Sequence, residues 1–281
     1  MGTDKRMRQR ENRRLRRTAI ERMKKRRRVR RIVTQGSAIV IVVVGIVALI
    51  ARPWESWNDT ASRSDDGTTA SVDSTIPGEP VTTTIAGRTI ADPTPCPATD
   101  GSEERVGTFE QAPPTCIDAD RSYTAIVSTS LGDYTIELDP SAAPKTVNNF
   151  VVLARYRYFD GTSCHRAIPG FMVQCGDPTG TGTGGPGYEF DDELPAAGDY
   201  AIGSVAMANS GPDTNGSQFF VITGETGVGL PPDYTLFGRV IDGLDTTLPA
   251  LDAAGNPAPE TNGVPPLKPI VITSVRIVEG P

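Results

Sequence analysis

Hydrophobic and polar positions follow three different rhythms along this chain. From Ile32 to Ala51, IVTQGSAIVIVVVGIVALIA, twenty residues pass without a charge. From Tyr123 onward a period of two takes over, the mark of strands with one face toward a core. Tyr123 to Ser128 and Tyr134 to Leu138 read as strands on either side of the turn Leu131-Gly132-Asp133, and Asp139-Pro140 ends the second. Ala143 to Tyr156 changes to a helical rhythm, with Pro144 near its start and Val147, Phe150, Val151 and Ala154 on one side. Cys164 to Ala167 and Met172 to Cys175 read as a hairpin around Pro169-Gly170. Ile202 to Ala208, Gln218 to Thr223, Leu236 to Val240 and Ile270 to Val278 read as further strands, and Gly243 to Ala253 as a second helix. This pattern suits a mainly β fold, a closed β-barrel capped by two helices, whose closure removes exposed edges.

Charge divides the chain at the apolar run. Residues 1 to 31 carry 16 Lys or Arg and 3 Asp or Glu, a net of +13, and the rest carries −19 within a total of −6. As a helix, residues 32–51 span about 30 Å, the thickness of a bilayer's hydrocarbon. Arg52, Trp54 and Trp57 follow as interfacial anchors, and the basic segment marks its side as cytoplasmic. The length of both the basic and the apolar segment favours an uncleaved transmembrane signal anchor over a cleaved signal peptide. Residues 58 to about 95 are rich in Ser, Thr, Asp, Gly and Pro and too poor in large apolar residues to offset their ordering entropy. The expected organisation is a basic cytoplasmic tail at 1–31, the anchor at 32–51, a flexible extracytoplasmic linker at 52–118, and a folded domain at 119–281. The Arg-rich tail is read as a topology signal that also meets anionic lipid, with no nucleic-acid partner.

Candidate chemistry gathers in two stretches. CHRAIPGFMVQCGDP, Cys164 to Pro178, places a cation, Arg166, and an amide, Gln174, near the bulky apolar Phe171 and Met172. Period-2 alternation brings Arg166, Met172 and Gln174 to one sheet face, a surface suited to holding an apolar group while reaching one polar atom. SVAMANSGPDTNGSQFF, Ser204 to Phe220, adds the amides Asn209 and Gln218 and the pair Phe219-Phe220. Between the two stretches, GTGTGGPG at 180–187 contains a formal G-x-G-x-x-G. Pro186 follows where a helix should open, so it is no nucleotide loop. Zinc ligation by Cys164, His165 and Cys175 fits no common spacing, and Cys164 and His165, adjacent on a strand, cannot meet as nucleophile and base.

The strings FMVQCGDP and MANSGPDTNGSQFF resemble the cyclophilins, the peptidyl-prolyl cis-trans isomerases, over roughly Ala119 to Glu279. The resemblance implies an eight-stranded antiparallel barrel and catalysis of X-Pro bond isomerisation. It makes Arg166 the catalytic arginine, with Gln174 and Phe171 beside it. Met172, Phe220 and Leu230 then form a proline pocket with Phe171, Ala208 and Gln218 line the groove, and Asn209 holds the substrate backbone. Tyr234 stands where the eukaryotic enzymes have a histidine, and tyrosine there is common in bacterial members; with the anchor read at residues 32–51, the resemblance is to a bacterial, membrane-anchored cyclophilin. Gly229 stands where those enzymes carry a tryptophan, which implies weak cyclosporin binding at most. No cofactor or metal is implied. The partners are proline-containing polypeptides, the membrane through residues 32–51, and no second copy of the chain. The rival reading is a proline-peptide scaffold or chaperone with little turnover, which loss of the arginine or the pocket phenylalanine would mark; neither is lost. Four cysteines on the outer side of the anchor allow three disulfide connectivities. In the cyclophilin-like hairpin Cys164 faces Cys175, which leaves Cys96 with Cys116.

Overall fold

A computed structural model describes residues 87–91 and 93–281. The expected tail and anchor, 1–51, and most of the expected linker lie outside these residues. Among those described, no helix is long and apolar enough to cross a membrane.

Eight strands form one antiparallel sheet: β3 (Tyr123–Thr129), β4 (Gly132–Leu138), β5 (Arg166–Ile168), β6 (Met172–Cys175), β7 (Ser204–Met207), β8 (Phe219–Ile222), β9 (Leu236–Asp242) and β10 (Ile272–Glu279). Their order is β10-β3-β4-β9-β7-β8-β6-β5. Before them, β1 (Arg88–Ile90) and β2 (Val106–Phe109) pair in parallel. Helix α1 (Pro144–Arg155) follows β4, α2 (Glu225–Val228) follows β8, α3 (Thr247–Ala253) follows β9, and a 3-10 turn spans Pro259–Thr261.

Two expectations of the fold are corrected. The sheet curls but its ladder does not close: β10 and β5 are its two ends. An isolated bridge, Ser163 to Val271, with Gly161 N–H on Ile272 O and Cys164 N–H on Ile270 O, draws the edges together without making a ladder. β5 is only three residues long, and its outer edge is taken by a loop: Asn256 N–H bonds Ala167 O and Ala167 N–H bonds Gly263 O. The described residues also contain three α-helices rather than two.

The second correction concerns residues 87–91 and 93–118, expected as flexible linker. They form an annex packed on the domain. Val106 and Phe109 are buried, and Phe109 lies among Tyr156, Tyr158 and Tyr188 with ring centroids 5.6, 6.3 and 6.3 Å away. Phe109 N–H donates to Pro186 O, and a Cβ at Gly187 (φ 109°) would overlap the Phe109 carbonyl oxygen. Cys96–Cys116 is bonded, and Asn148 fastens the loop by accepting from Cys116 N–H and donating to Pro114 O. A few apolar anchors in a polar segment were enough to dock it, because the partner rings come from distant parts of the sequence.

Alternation sets the layers. On β3, Tyr123, Ala125 and Val127 point inward and meet Tyr134, Ile136 and Leu138 of β4. Helix α1 inserts Phe150 against Phe159, Phe219 and Phe237, at 5.1, 5.5 and 5.3 Å between centroids. No side chain caps α1 locally; Glu193 does so from a distant loop, accepting from the N–H groups of Lys145 and Thr146 where the helix dipole is positive. On β6 and β8 the register separates two apolar clusters. Val173, Cys175, Phe219 and Val221 join the main core, while Met172, Phe220 and Ile222 face outward into a smaller one. The outer cluster is the floor of the site.

Candidate active site

Strand pairing builds the site in a row. Arg166 of β5 stands opposite Gln174 of β6, Gln174 opposite Phe220 of β8, and Phe220 opposite Ala206 of β7. Side chains on one face of adjacent strands lie about 5 Å apart, so cation, amide and ring are neighbours through register alone. Met172 adds a second row, Phe171 enters from the turn before β6, and the loop after α2 supplies Leu230 and Tyr234. The Tyr234 ring stands edge-on to Phe220 at 5.4 Å. Its backbone is held by Tyr200, whose hydroxyl donates to Tyr234 O at 2.6 Å.

Nine of the ten residues singled out for catalysis and substrate binding line one cavity of about 220 Å³: Arg166, Phe171, Met172, Gln174, Ala208, Asn209, Phe220, Leu230 and Tyr234. The tenth, Gln218, lines the adjoining polar groove of about 710 Å³, walled by the glycine-rich backbone 182–187. The two spaces share Gln174, Ala208 and Asn209. Asn209 does not point a free amide at the pocket. Its Nδ2 donates to Asp233 O at 2.9 Å and its Oδ1 accepts from Gly211 N–H at 3.2 Å.

A chain of polar contacts fixes the arginine. Arg166 Nη1 donates to Gln174 Oε1 at 3.3 Å, Gln174 Nε2 donates to Gln218 Oε1 at 2.9 Å, and Gln218 Nε2 donates to the carbonyls of Gly182 and Gly184. From the other side Arg166 Nε donates to Asn262 O at 2.9 Å and Nη2 to Asn262 Oδ1 at 2.8 Å. Burial draws the Arg166 pKa below its ordinary value, with the Tyr234 phenol acting in the opposite direction; a guanidinium stays charged in any case. The arrangement can grip an apolar ring and offer N–H groups to an atom beside it.

Two residues at this site were missed from the sequence. Asn262 sits in a Thr-Asn-Gly turn that reads only as a loop. Asp177, fully buried, organises the glycine-rich loop: its carboxylate accepts from the N–H groups of Thr179, Thr181, Gly182 and Gly184 and from the Thr179 hydroxyl. Burial raises its pKa, but these hydrogen bonds outweigh it and hold the carboxyl below its usual range. Gly-Asp-Pro-Thr ahead of a glycine run was the available signal, since Asp accepts from the backbone just after it. Cys164 and Cys175 are joined as a disulfide beside the Arg166–Gln174 pair, which leaves Cys164 no role as a nucleophile or metal ligand.

The site and fold agree with what the chain is similar to. The family model for cyclophilin-type peptidyl-prolyl cis-trans isomerases matches residues 124–277. A peptidyl-prolyl cis-trans isomerase-like 3 of Rhizopus delemar is 45% identical over 163 residues, covering 54% of this chain and 93% of that protein. A probable peptidyl-prolyl cis-trans isomerase B of Mycobacterium tuberculosis is 43% identical over 165 residues, 53% of this chain and 52% of that one. The chain thus spans about half the length of the mycobacterial relative. The crystal structure of a cyclophilin-type isomerase of Cryptosporidium parvum, in the presence of the dipeptide Ala-Pro, superposes with a TM-score of 0.50 at 36% identity, covering 55% of this chain and 98% of that one. With an apolar pocket, an arginine at its rim and more than half of its length matched, this chain belongs to the cyclophilin-type peptidyl-prolyl cis-trans isomerases.

Proposed function

We propose that this isomerase is a bacterial enzyme, tethered to the cell membrane through residues 32–51, that works on the outer side of it. It accelerates X-Pro isomerisation in extracytoplasmic polypeptides and so assists their folding. The observation that carries the catalytic part is the single cavity holding Arg166 and Gln174 over Phe171, Met172, Phe220 and Leu230. An X-Pro bond faces a barrier of about 18–20 kcal/mol from its partial double-bond character. Twisting the amide localises the lone pair on the prolyl nitrogen. A catalyst needs only to bind that twisted form better than either planar one. In this reading the apolar floor takes the pyrrolidine ring, in keeping with a relative whose structure was solved in the presence of the dipeptide Ala-Pro. Arg166 donates to the prolyl nitrogen, Gln174 orients Arg166 and the substrate carbonyl, and Asn209 meets the substrate through its main chain, its side chain being engaged. A half-buried guanidinium with an unscreened apolar floor makes that hydrogen bond stronger than it is in water.

The +13 segment before the apolar run supports the topology, with the amino terminus inside. Protease added outside cells with a permeable outer layer should release the isomerase domain; protection of the domain would reverse the orientation. The enzyme acts as a monomer in this reading. Weak cyclosporin binding at most is expected in this reading, because the exposed Gly229, next to the pocket residue Leu230, brings no side chain to the site. The catalytic part is tested with Arg166→Ala in an X-Pro peptide assay. A loss of about 10²-fold in kcat/KM is expected, with Arg166→Lys recovering little because it lacks the planar fork. Wild-type turnover in a folded Arg166→Ala protein would sink the mechanism.

A further inference from the structure

Arg166 has the problem of any long cation on a short edge strand. Its long side chain has many rotamers to lose, and β5 offers only three residues to hold it. Gln174 restrains one terminal nitrogen at 3.3 Å, a long bond. The shorter and more numerous contacts come from Asn262. We propose that Asn262 is a further positioning residue of this enzyme: together with Gln174 it aims the Arg166 guanidinium at the proline pocket. The inference rests on the reading of Arg166 as the catalytic donor.

The geometry is a two-point clamp. Arg166 Nε donates to the Asn262 carbonyl at 2.9 Å and Nη2 to Asn262 Oδ1 at 2.8 Å, so main chain and side chain of one residue receive one edge of the planar fork. With Nη1 on Gln174, three of the five guanidinium N–H groups are engaged. The two left, one on each terminal nitrogen, are those available to a substrate. Without Asn262 the head group is left with the single long bond to Gln174, and a donor displaced by about 1 Å loses much of its effect on the transition state.

Asn262 can do this because its own loop is built onto β5. It closes the 3-10 turn Pro259–Thr261 in the left-handed conformation (φ 51°), which asparagine tolerates better than most residues. Thr261 Oγ1 donates to Ala258 O, and Gly263 N–H donates back to Thr261 Oγ1. Gly263 O accepts from the N–H of Ala167, the residue next to Arg166, and Ala167 O accepts from Asn256 N–H. A Cβ at Gly263 would come within 2.7 Å of Ala167 O, so the loop lies directly on the strand. The same segment that leaves the barrel open at its edge therefore carries the clamp.

The test is a double-mutant cycle in the full-length chain with an X-Pro peptide substrate. Asn262→Gly keeps the backbone carbonyl and suits the left-handed conformation, so the fold is retained while Oδ1 is lost. Expected is a fall in kcat of about tenfold or more with KM within about twofold, since the apolar floor is untouched. In an Arg166→Ala background the same change should cost nothing further, because Asn262 acts only through the arginine. Relaxation of the Arg166 Nε–H in nitrogen-15 NMR should show greater motion in Asn262→Gly than in wild type. Equal factors lost in both backgrounds would assign Asn262 a merely structural role and overturn the inference, as would wild-type kcat or an unchanged Nε–H. If Arg166→Ala itself keeps full activity, the arginine reading has failed and takes this one with it; a large Arg166→Ala loss beside a silent Asn262→Gly overturns this inference alone.

Discussion

The two walls of the active site are made of different materials. The pocket wall is side chains on strands: Arg166, Met172, Gln174 and Phe220, brought together by register. The groove wall is backbone, the glycine-rich run 180–187 folded around the buried Asp177 carboxylate. A wall of side chains can be altered one group at a time, and each alteration is felt in the chemistry or the grip. A wall of backbone has few side chains to alter. Its shape depends on one acceptor inside and on space too small for a Cβ, so it should respond to mutation first through stability.

Four outcomes would test that contrast. Phe220→Ala is expected to be the most damaging. The ring is only 5% exposed, so truncation should cost about 3–5 kcal/mol in denaturant melts. Because the ring also floors the pocket, KM should rise as kcat/KM falls. A Phe220→Ala protein with unchanged KM would mean that the ring only supports the fold. Asp177→Ala comes next. It leaves four backbone N–H groups and the Thr179 hydroxyl without their acceptor and should cost roughly 3 kcal/mol. Hydrogen exchange should quicken at 179–184 while Arg166-dependent chemistry survives in the folded fraction; an undisturbed loop would contradict the role given to the carboxylate. Gly184→Ala is the milder version. Its Cβ would overlap Asp177 Oδ1 and lie 2.7 Å from Thr179 Oγ1, for about 1–3 kcal/mol. A crystal structure should show the loop displaced with the apolar floor, Met172 and Phe220, unmoved and Gln218, which bonds the loop carbonyls, the first side chain to follow it.

The smallest expected effect is one of pH. His165, 7% exposed, lies against the glycine-rich loop, where a Cβ on Gly182 would be 3.3 Å from its ring. Burial lowers its pKa below 6.5, Asp177 pulls it partly back up, and Arg166 pushes it down again. The unfolded chain therefore takes up this proton before the folded one does. The stability held by neutral His165 is complete above about pH 6.5 and is lost as pH falls through the lower folded value. Asp177, held below 3.8, keeps its contribution until more acid conditions and loses it below that range. Thermal melts between pH 7 and 5 should thus slope downward in wild type and less steeply in His165→Gln. Identical slopes would remove His165 from the account.

How much of this could be read from the chain depends on how far apart the interacting groups are in sequence. β3 with β4, the hairpin of β5 and β6, and helix α1 were all visible, because hairpins and helices are written in periods of two and 3.6 and in local turn residues. The ten candidate site residues came from two continuous strings and a loop, and the pocket gathers nine of them. Asn262 was invisible, since it lies 96 residues from Arg166 and nothing in Thr-Asn-Gly announces a partner. The packed annex at 87–91 and 93–118 was equally hidden, its Phe109 being one aromatic ring in a stretch whose composition reads as linker.

Local chemistry alone thus settled most of the strands and the long helix, which face they bury, and that one cation and one amide share a face with bulky apolar side chains, because those follow from side-chain type and spacing along a few residues; the proline pocket itself came from the resemblance of two strings to a family. The open edge between β10 and β5, the clamp on Arg166, the carboxylate inside the glycine loop and the cap that Glu193 places on α1 were decided by folding. Each joins groups distant in the chain around a donor, acceptor or edge that local structure leaves unsatisfied, and a buried polar group must find its partner wherever the fold supplies one.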